Sequence, residues 1–318
     1  MWDMRVVLGW VGAAVIVAGV LLGGVLAANA TVFSASAFVR DYLTALAIGR
    51  VDEALALPGV DAADLDDRML DARAYAPVEA EVVGDEERDG VHHVRVAIDD
   101  DGATVETVLE VERIGTRFWL FPEWGFAASP VTPVTVTTTG DARFTAGGVP
   151  LAAAGGGPVT FAAITPGRYV LGHESQFLEA EPVTVLAAGG GAEVELDIRP
   201  NAEFAAIVAD AVDRELEACT SQRVLFPVGC PFGYAIQNRV ASEPRWTITD
   251  PLDVEVAPAE RFGLWEVPAT TGVARLTVDV QSVFDGSVST LEQDVSFTTG
   301  WRIGFEGTTV VLAPAIPD

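Results

Sequence analysis

Between Val6 and Ala28 the chain carries no charged side chain (VVLGWVGAAVIVAGVLLGGVLAA), a run of 23 residues. As a helix rising about 1.5 Å per residue it reaches across a hydrocarbon core of about 30 Å, so its length predicts a transmembrane anchor over residues 1–30. A cleaved signal peptide is the competing reading, because Ala28-Asn29-Ala30 has the small-x-small form that signal peptidase reads. Length favours the anchor, since a signal h-region runs about 7 to 15 apolar residues. Arg5 and the α-amino group are offset by Asp3, which leaves a weak charge preference for a cytoplasmic N-terminus. Lipid attachment at a cleavage site needs a cysteine there, and neither cysteine is near it.

Cys219 and Cys230 are the two cysteines, and Pro227 and Gly229 supply turn chemistry just before the second. Their spacing predicts a disulfide, because a thiolate metal site would need two further ligands and no histidine stands nearby. A structural disulfide places this part of the chain outside the cytosol. Anchor and disulfide therefore agree on a single-pass protein of the cell membrane, with the domains after residue 30 extracytoplasmic.

The 46 acidic residues outnumber the 19 basic ones, giving a formal net charge of -27. Such a chain repels phosphate backbones, which excludes nucleic acid as a partner. All the basic residues are arginine, and together with abundant Ala, Gly and Val this points to a GC-rich genome.

After the anchor, Phe38, Val39, Tyr42, Leu43 and Leu46 lie on one helical stripe, with Gly49 as a stop. Further helices are expected over Val51–Leu57 and in the acidic stretch carrying Leu65, Met69 and Leu70. The period then changes to two, predicting strands over Val78–Val83, Val91–Ile98, Thr104–Glu112 and Arg117–Phe121, with turns at Asp89-Gly90 and Asp101-Gly102. Residues 34–128 thus read as an α+β domain. Residues 130–200 shift to Thr, Val and Gly and read as a small β module. Residues 203–318 open on a helix bearing Phe204, Ile207, Val208, Ala211, Val212 and Leu216 and continue as an antiparallel sheet, a second α+β domain that holds the disulfide.

The segment Phe38–Leu57 (FVRDYLTALAIGRVDEALAL) resembles the nuclear-transport-factor-two-like, or cystatin-like, superfamily in its small extracytoplasmic form. That resemblance implies a helix packed into a curved sheet to make a cone. Ile164–Val185, with Pro166, Gly167, Tyr169, Val183 and Val185, resembles the PEGA-type β-sandwich modules of surface proteins. The Gly-Tyr pair usual at the centre of those modules is replaced here by His173 to Phe177. The whole arrangement resembles membrane-anchored envelope proteins of actinobacteria.

The superfamily resemblance directs attention to the cone, where Tyr42, His92 and Trp119 are the candidate pocket residues. Alternation puts His92 with Val94, Val96 and Ile98, and His93 with Arg95 on the other face. The ordinary reading of His92, a buried or half-buried histidine satisfied by one hydrogen bond, is favoured over a catalytic one, since no acid with evident pairing geometry accompanies it. Trp124 and Trp265, near strand ends, are the aromatic side chains expected to be exposed for contact. Asp99-Asp100-Asp101-Gly102 lacks the alternate-position ligands of a calcium loop and reads as a hairpin turn. The Gly155–Gly157 and Gly189–Gly191 stretches have no following Gly-Lys-Ser/Thr and read as loops. No catalytic residue, metal or cofactor is expected. The sequence predicts an ectodomain that binds cell-wall polymer or envelope proteins. The alternatives are a small-molecule or catalytic site in the cone, and a structural spacer.

Overall fold

The computed structural model describes residues 4–62, 64–306 and 309–315. Asp3, whose charge enters the orientation argument, and the last three residues of the C-terminal domain lie outside these. The architecture is mixed α+β with strands predominating and antiparallel sheets. It opens on one apolar helix, α1 (Met4–Thr31). Among the described residues α1 is the helix long and apolar enough to cross a membrane. Val15, Val17, Val20, Leu22 and Leu26 are all exposed around it. A helix apolar on every side and covered by no protein has the character of a membrane span. Together with the disulfide formed by Cys219 and Cys230, this is compatible with a single-pass membrane protein.

The chain divides into two compact units. The first takes the residues as far as Thr137 together with 143–172 and 182–196, and the second takes 138–142, 173–181 and the residues from Asp197 onward.

In the first unit, Ser34 caps α2 (Ala35–Ala47) by accepting from the Ala37 amide at 3.2 Å. Val39, Tyr42, Leu43 and Leu46 form its buried stripe, as the spacing predicts. Short α3 (Val51–Leu55) follows the left-handed Gly49. The acidic stretch does not form the expected helix but a single 3₁₀ turn, Asp67–Leu70. There the Asp66 carboxylate accepts from the Arg68 amide and guanidinium, a local bond that competes with a continuing helix. Then β1 (Ala80–Arg88), β2 (Val91–Asp100), β3 (Ala103–Arg117) and β4 (Phe121–Phe126) make an antiparallel meander in chain order. Its first two turns are Asp89-Gly90 and Asp101-Gly102, both residues of each being left-handed. The expected strand over Arg117–Phe121 is corrected, because the chain reverses at Phe118-Trp119 inside it.

Two further sheets, most of whose residues lie in this unit, are built from β5 (Val131–Thr139), β6 (Arg143–Ala146), β7 (Val149–Ala152), β8 (Val159–Ile164), β9 (Gly167–Glu174), β10 (Leu178–Ala187) and β11 (Ala192–Asp197). One has the order β11-β5-β8, and the other runs β10-β9-β6-β7. Phe144 of β6 meets Phe161 of β8 edge to face, with ring centres 5.8 Å apart.

Three tyrosines converge on the turn between β8 and β9. Tyr42 donates to the Thr165 carbonyl and Tyr75 to the Pro166 carbonyl, while the Tyr169 hydroxyl accepts from the Ile164 amide. Gly167 is required here, since a Cβ would come within 2.6 Å of the Tyr75 ring. Burial, the dominant cause, raises all three phenols above their ordinary value, Tyr75 to about 12. Phenols ionise near pH 10 in the unfolded chain, so this contribution to stability is whole below about pH 10 and falls as pH rises toward about 12. We expect phenolate absorbance of these tyrosines to rise only together with loss of the first unit's tertiary circular dichroism. Ionisation in a still-folded chain would contradict it.

In the second unit the opening of β10 pairs with β12 (Arg199–Pro200), Leu178 lying opposite Pro200. The Asn201 side chain caps α4 (Ala202–Thr220) by accepting from the Phe204 amide at 2.9 Å. Phe204, Val208, Val212, Leu216 and Cys219 form its buried face. The remaining strands are β13 (Arg239–Val240), β14 (Arg245–Asp250), β15 (Ala257–Pro258), β16 (Trp265–Gln281), β17 (Val288–Glu306) and β18 (Thr309–Pro314). Their order is β13-β16-β17-β18, with β14 and β15 also on β16. The long β16–β17 pair runs from Trp265 opposite Ile303 to Gln281 opposite Val288, broken by a bulge after Val267 where Pro268 lacks a donor. Phe177, Phe204, Trp265 and Phe305 form an aromatic cluster in this unit.

Candidate functional site

The structure gives the three candidate pocket residues separate surroundings. Tyr42 is fully buried, bonded to Thr165 and edge-on to Phe126 at 5.0 Å. It therefore clamps a turn. Trp119 is 95% exposed at the tip of the β3–β4 hairpin, which corrects its placement in a cone. The reason is local, since its left-handed backbone makes it part of the turn that ends the sheet.

His92 is half-buried on β2, on the face shared with Val94, Val96 and Ile98. Its Nδ1 lies 2.8 Å from Asp85 Oδ1, and Ser36 donates to Asp85 Oδ2 at 2.7 Å. The imidazole stands edge-on to the Trp124 ring at 4.9 Å. An acid partner, unexpected from the sequence, is thus present. The carboxylate stands between the hydroxyl and the imidazole, so His92 does not take a proton from Ser36 in the manner of a nucleophile and its base. The arrangement holds α2 to β1 and β2.

Asp85 owes its position to a bulge between Val82 and Gly84. Before it, Ala80 and Val82 oppose Ile98 and Val96, and after it Asp85 and Glu87 oppose Val94 and His92. One extra residue therefore moves Asp85 onto the histidine's face.

The expected pair of exposed aromatics is also corrected. Trp265 is only 4% exposed, because α4 covers it with Phe204. Trp124 is half-buried and donates its indole N–H to the Phe33 carbonyl at 2.9 Å. It borders a cavity of about 160 Å³ with Phe38, Asp41, Arg117 and Glu123. A second space, about 130 Å³, lies by Thr107, Pro130 and Thr165. Both fall below the roughly 300 to 1,000 Å³ of sites that enclose a small-molecule ligand.

A larger groove, about 520 Å³, lies within the second unit. Leu216 and Cys219 from α4 and Cys230-Pro231 after the disulfide loop form one wall. Thr298, Thr299, Gly300 and Trp301 of β17 form the other, and Pro314 of β18 closes it. Glu215 is the charged side chain lining it among the described residues. The sequence marked the disulfide but not this groove, because the two walls are brought together by the return of β17 and β18 beside α4.

Among the described residues, no group of three or more His, Cys, Asp or Glu side chains is placed to hold a metal ion. No protein-family profile matches the chain, and no curated protein or solved structure matches it either.

Proposed function

We propose that this chain is a single-pass membrane protein, N-terminus cytoplasmic, whose extracytoplasmic part is a protein-interaction module of the cell envelope. The observation that carries the reading is the groove beside the disulfide, walled by Leu216, Pro231, Trp301 and Pro314. Its lining fits an apolar peptide segment better than a polysaccharide. Sugar platforms present an open aromatic face, whereas Trp301 is buried in the groove wall. The catalytic alternative in the first unit is disfavoured by the filled space around Tyr42 and by the Ser36–Asp85–His92 order. The disulfide supports an extracytoplasmic placement.

The domain assignment belongs to the same proposal. Helices α2 and α3 followed by the β1–β4 meander support a nuclear-transport-factor-two-like first domain. The β11-β5-β8 sheet and its neighbour, meeting through Phe144 and Phe161, support a PEGA-like module.

A photo-crosslinking residue at Thr299, in membranes of cells making the full chain, tests the groove. The expected result is a discrete adduct with one envelope protein, abolished by Thr298→Arg and not formed from exposed Asp253. Retention on purified wall polymer that Thr298→Arg leaves intact, with no adduct, would replace this reading with the polymer-binding one.

A further inference from the structure

The β3–β4 hairpin ends in a turn whose residues fit poorly with its geometry. Leu120 N–H donates to the Arg117 carbonyl at 3.2 Å, and the two residues between, Phe118 and Trp119, have φ of 53° and 64°. A turn with two successive left-handed residues favours Asn-Gly or Asp-Gly. The same sheet uses Asp89-Gly90 and Asp101-Gly102 in its other two turns. Bulky aromatic side chains at positive φ cost backbone free energy, and such strain is kept where a function holds it.

Folding does not repay that cost, because both rings point away from the protein. Phe118 is 76% and Trp119 95% exposed, with Leu120 exposed beside them. Three large apolar side chains in a row at one tip are unusual on a surface facing water. The charge is equally distinctive. Residues 113–121 (RIGTRFWLF) hold two arginines and no acid in a chain of net charge -27, Arg117 pairing across the hairpin with Glu123 at 3.4 Å.

The tip lies at the end of the candidate membrane helix. Asn29 of α1 donates its side-chain amide to the Leu120 carbonyl at 3.0 Å, and Phe33, just past α1, packs on Phe121 with ring centres 4.3 Å apart. Toward the other end of the same helix Trp10 is exposed. Nineteen positions separate Trp10 from Asn29, about 28 Å along a helix and close to the thickness of a hydrocarbon core. Trp side chains concentrate at both borders of a bilayer, and arginine stems lie along apolar surface with their heads at the phosphates.

We propose that Phe118, Trp119 and Leu120 insert into the headgroup–acyl border of the membrane that α1 crosses, with Arg113 and Arg117 at the lipid phosphates, so that the hairpin is a second anchor. The inference rests on α1 spanning the bilayer. An interfacial tip beside a single span would restrict how the first unit tilts on the membrane, which a lone helix does not do.

The test places the full chain in nanodiscs of phosphatidylcholine and phosphatidylglycerol, with and without bromine on the acyl chains, and compares tryptophan emission of the wild type with W119F and with W10F. The expected result is that the emission lost in W119F is blue-shifted, quenched by brominated lipid and protected from aqueous acrylamide. Quenching of the Trp10 contribution without quenching of the Trp119 contribution overturns the hairpin proposal alone. Failure of brominated lipid to quench either contribution overturns the spanning helix and the hairpin together. A Trp119 contribution quenched by neither agent means a protein covers the tip and also overturns the proposal. The double substitution Phe118→Asn with Trp119→Gly installs the turn residues the geometry favours. It should leave the melting temperature equal or higher and remove the lipid-quenched contribution, whereas a lowered melting temperature would show the aromatics to be structural and overturn the proposal.

Discussion

Replacing Tyr42 by alanine is expected to destabilise the first unit by about 3–5 kcal/mol, the range for removing a large buried aromatic side chain. The ring is fully buried against Phe126, and its hydroxyl bonds the Thr165 carbonyl in the turn between β8 and β9. Alanine removes packing on α2 and a link from that helix to the later strands of the same unit. Tyr42→Phe separates the two effects. It keeps the ring but deprives a buried carbonyl of its donor, which should cost about 1–3 kcal/mol. Hydrogen exchange under increasing denaturant reads this in the right place, since amides of β2, β3 and β8 should lose protection while those of β16 and β17 hold theirs. A ligand-binding tyrosine behaves otherwise, because its phenylalanine variant would keep full protection. Equal stability of Tyr42→Phe and wild type would therefore return Tyr42 to the list of pocket residues.

Tyr42 also shows what the sequence could convey and what it could not. Its place on the buried stripe of α2 follows from helical spacing, as do the Phe204–Leu216 stripe of α4 and the two Asp-Gly hairpins. These are short-range signals, carried by residues within a few positions of one another. The hydroxyl's partner lies 123 residues away, and nothing local announces it. The Ser36–Asp85–His92 arrangement was hidden by a bulge, since strict alternation puts Gly84 and Glu86, not Asp85, on the histidine's face. Trp265 reads as a strand-end residue, yet α4 brings Phe204 over it, which is a tertiary fact. At the third hairpin the signal was contrary to the structure, because Arg-Phe-Trp-Leu contains no turn-forming residue and reads as strand. Local preference and observed backbone conflict there. That conflict, not any motif, singles out the hairpin tip.

Removal of the disulfide by Cys219→Ser with Cys230→Ser is expected to cost about 2–3 kcal/mol, the cross-link term for a loop this short. The larger consequence should fall on the groove. The loop between the cysteines has other ties: Gln222 bonds the Val228 amide and carbonyl at 2.8 and 3.2 Å, and Trp246 donates to the Val224 carbonyl at 2.9 Å. Phe232, just past Cys230, packs on Trp246 and Phe297. These contacts hold the loop to the sheet but leave Cys230-Pro231 without its link to α4, and that link is the wall facing Thr298 and Thr299. The second unit should therefore stay folded, with the near-ultraviolet signal of Trp246 retained, while crosslinking from Thr299 falls far more than stability does. Global unfolding of the unit on reduction would show that the disulfide holds the whole sheet and not the groove wall. Unchanged crosslinking from a reduced but folded chain would mean that the partner contacts β17 and β18 alone, and the disulfide side of the groove would drop out of the binding surface.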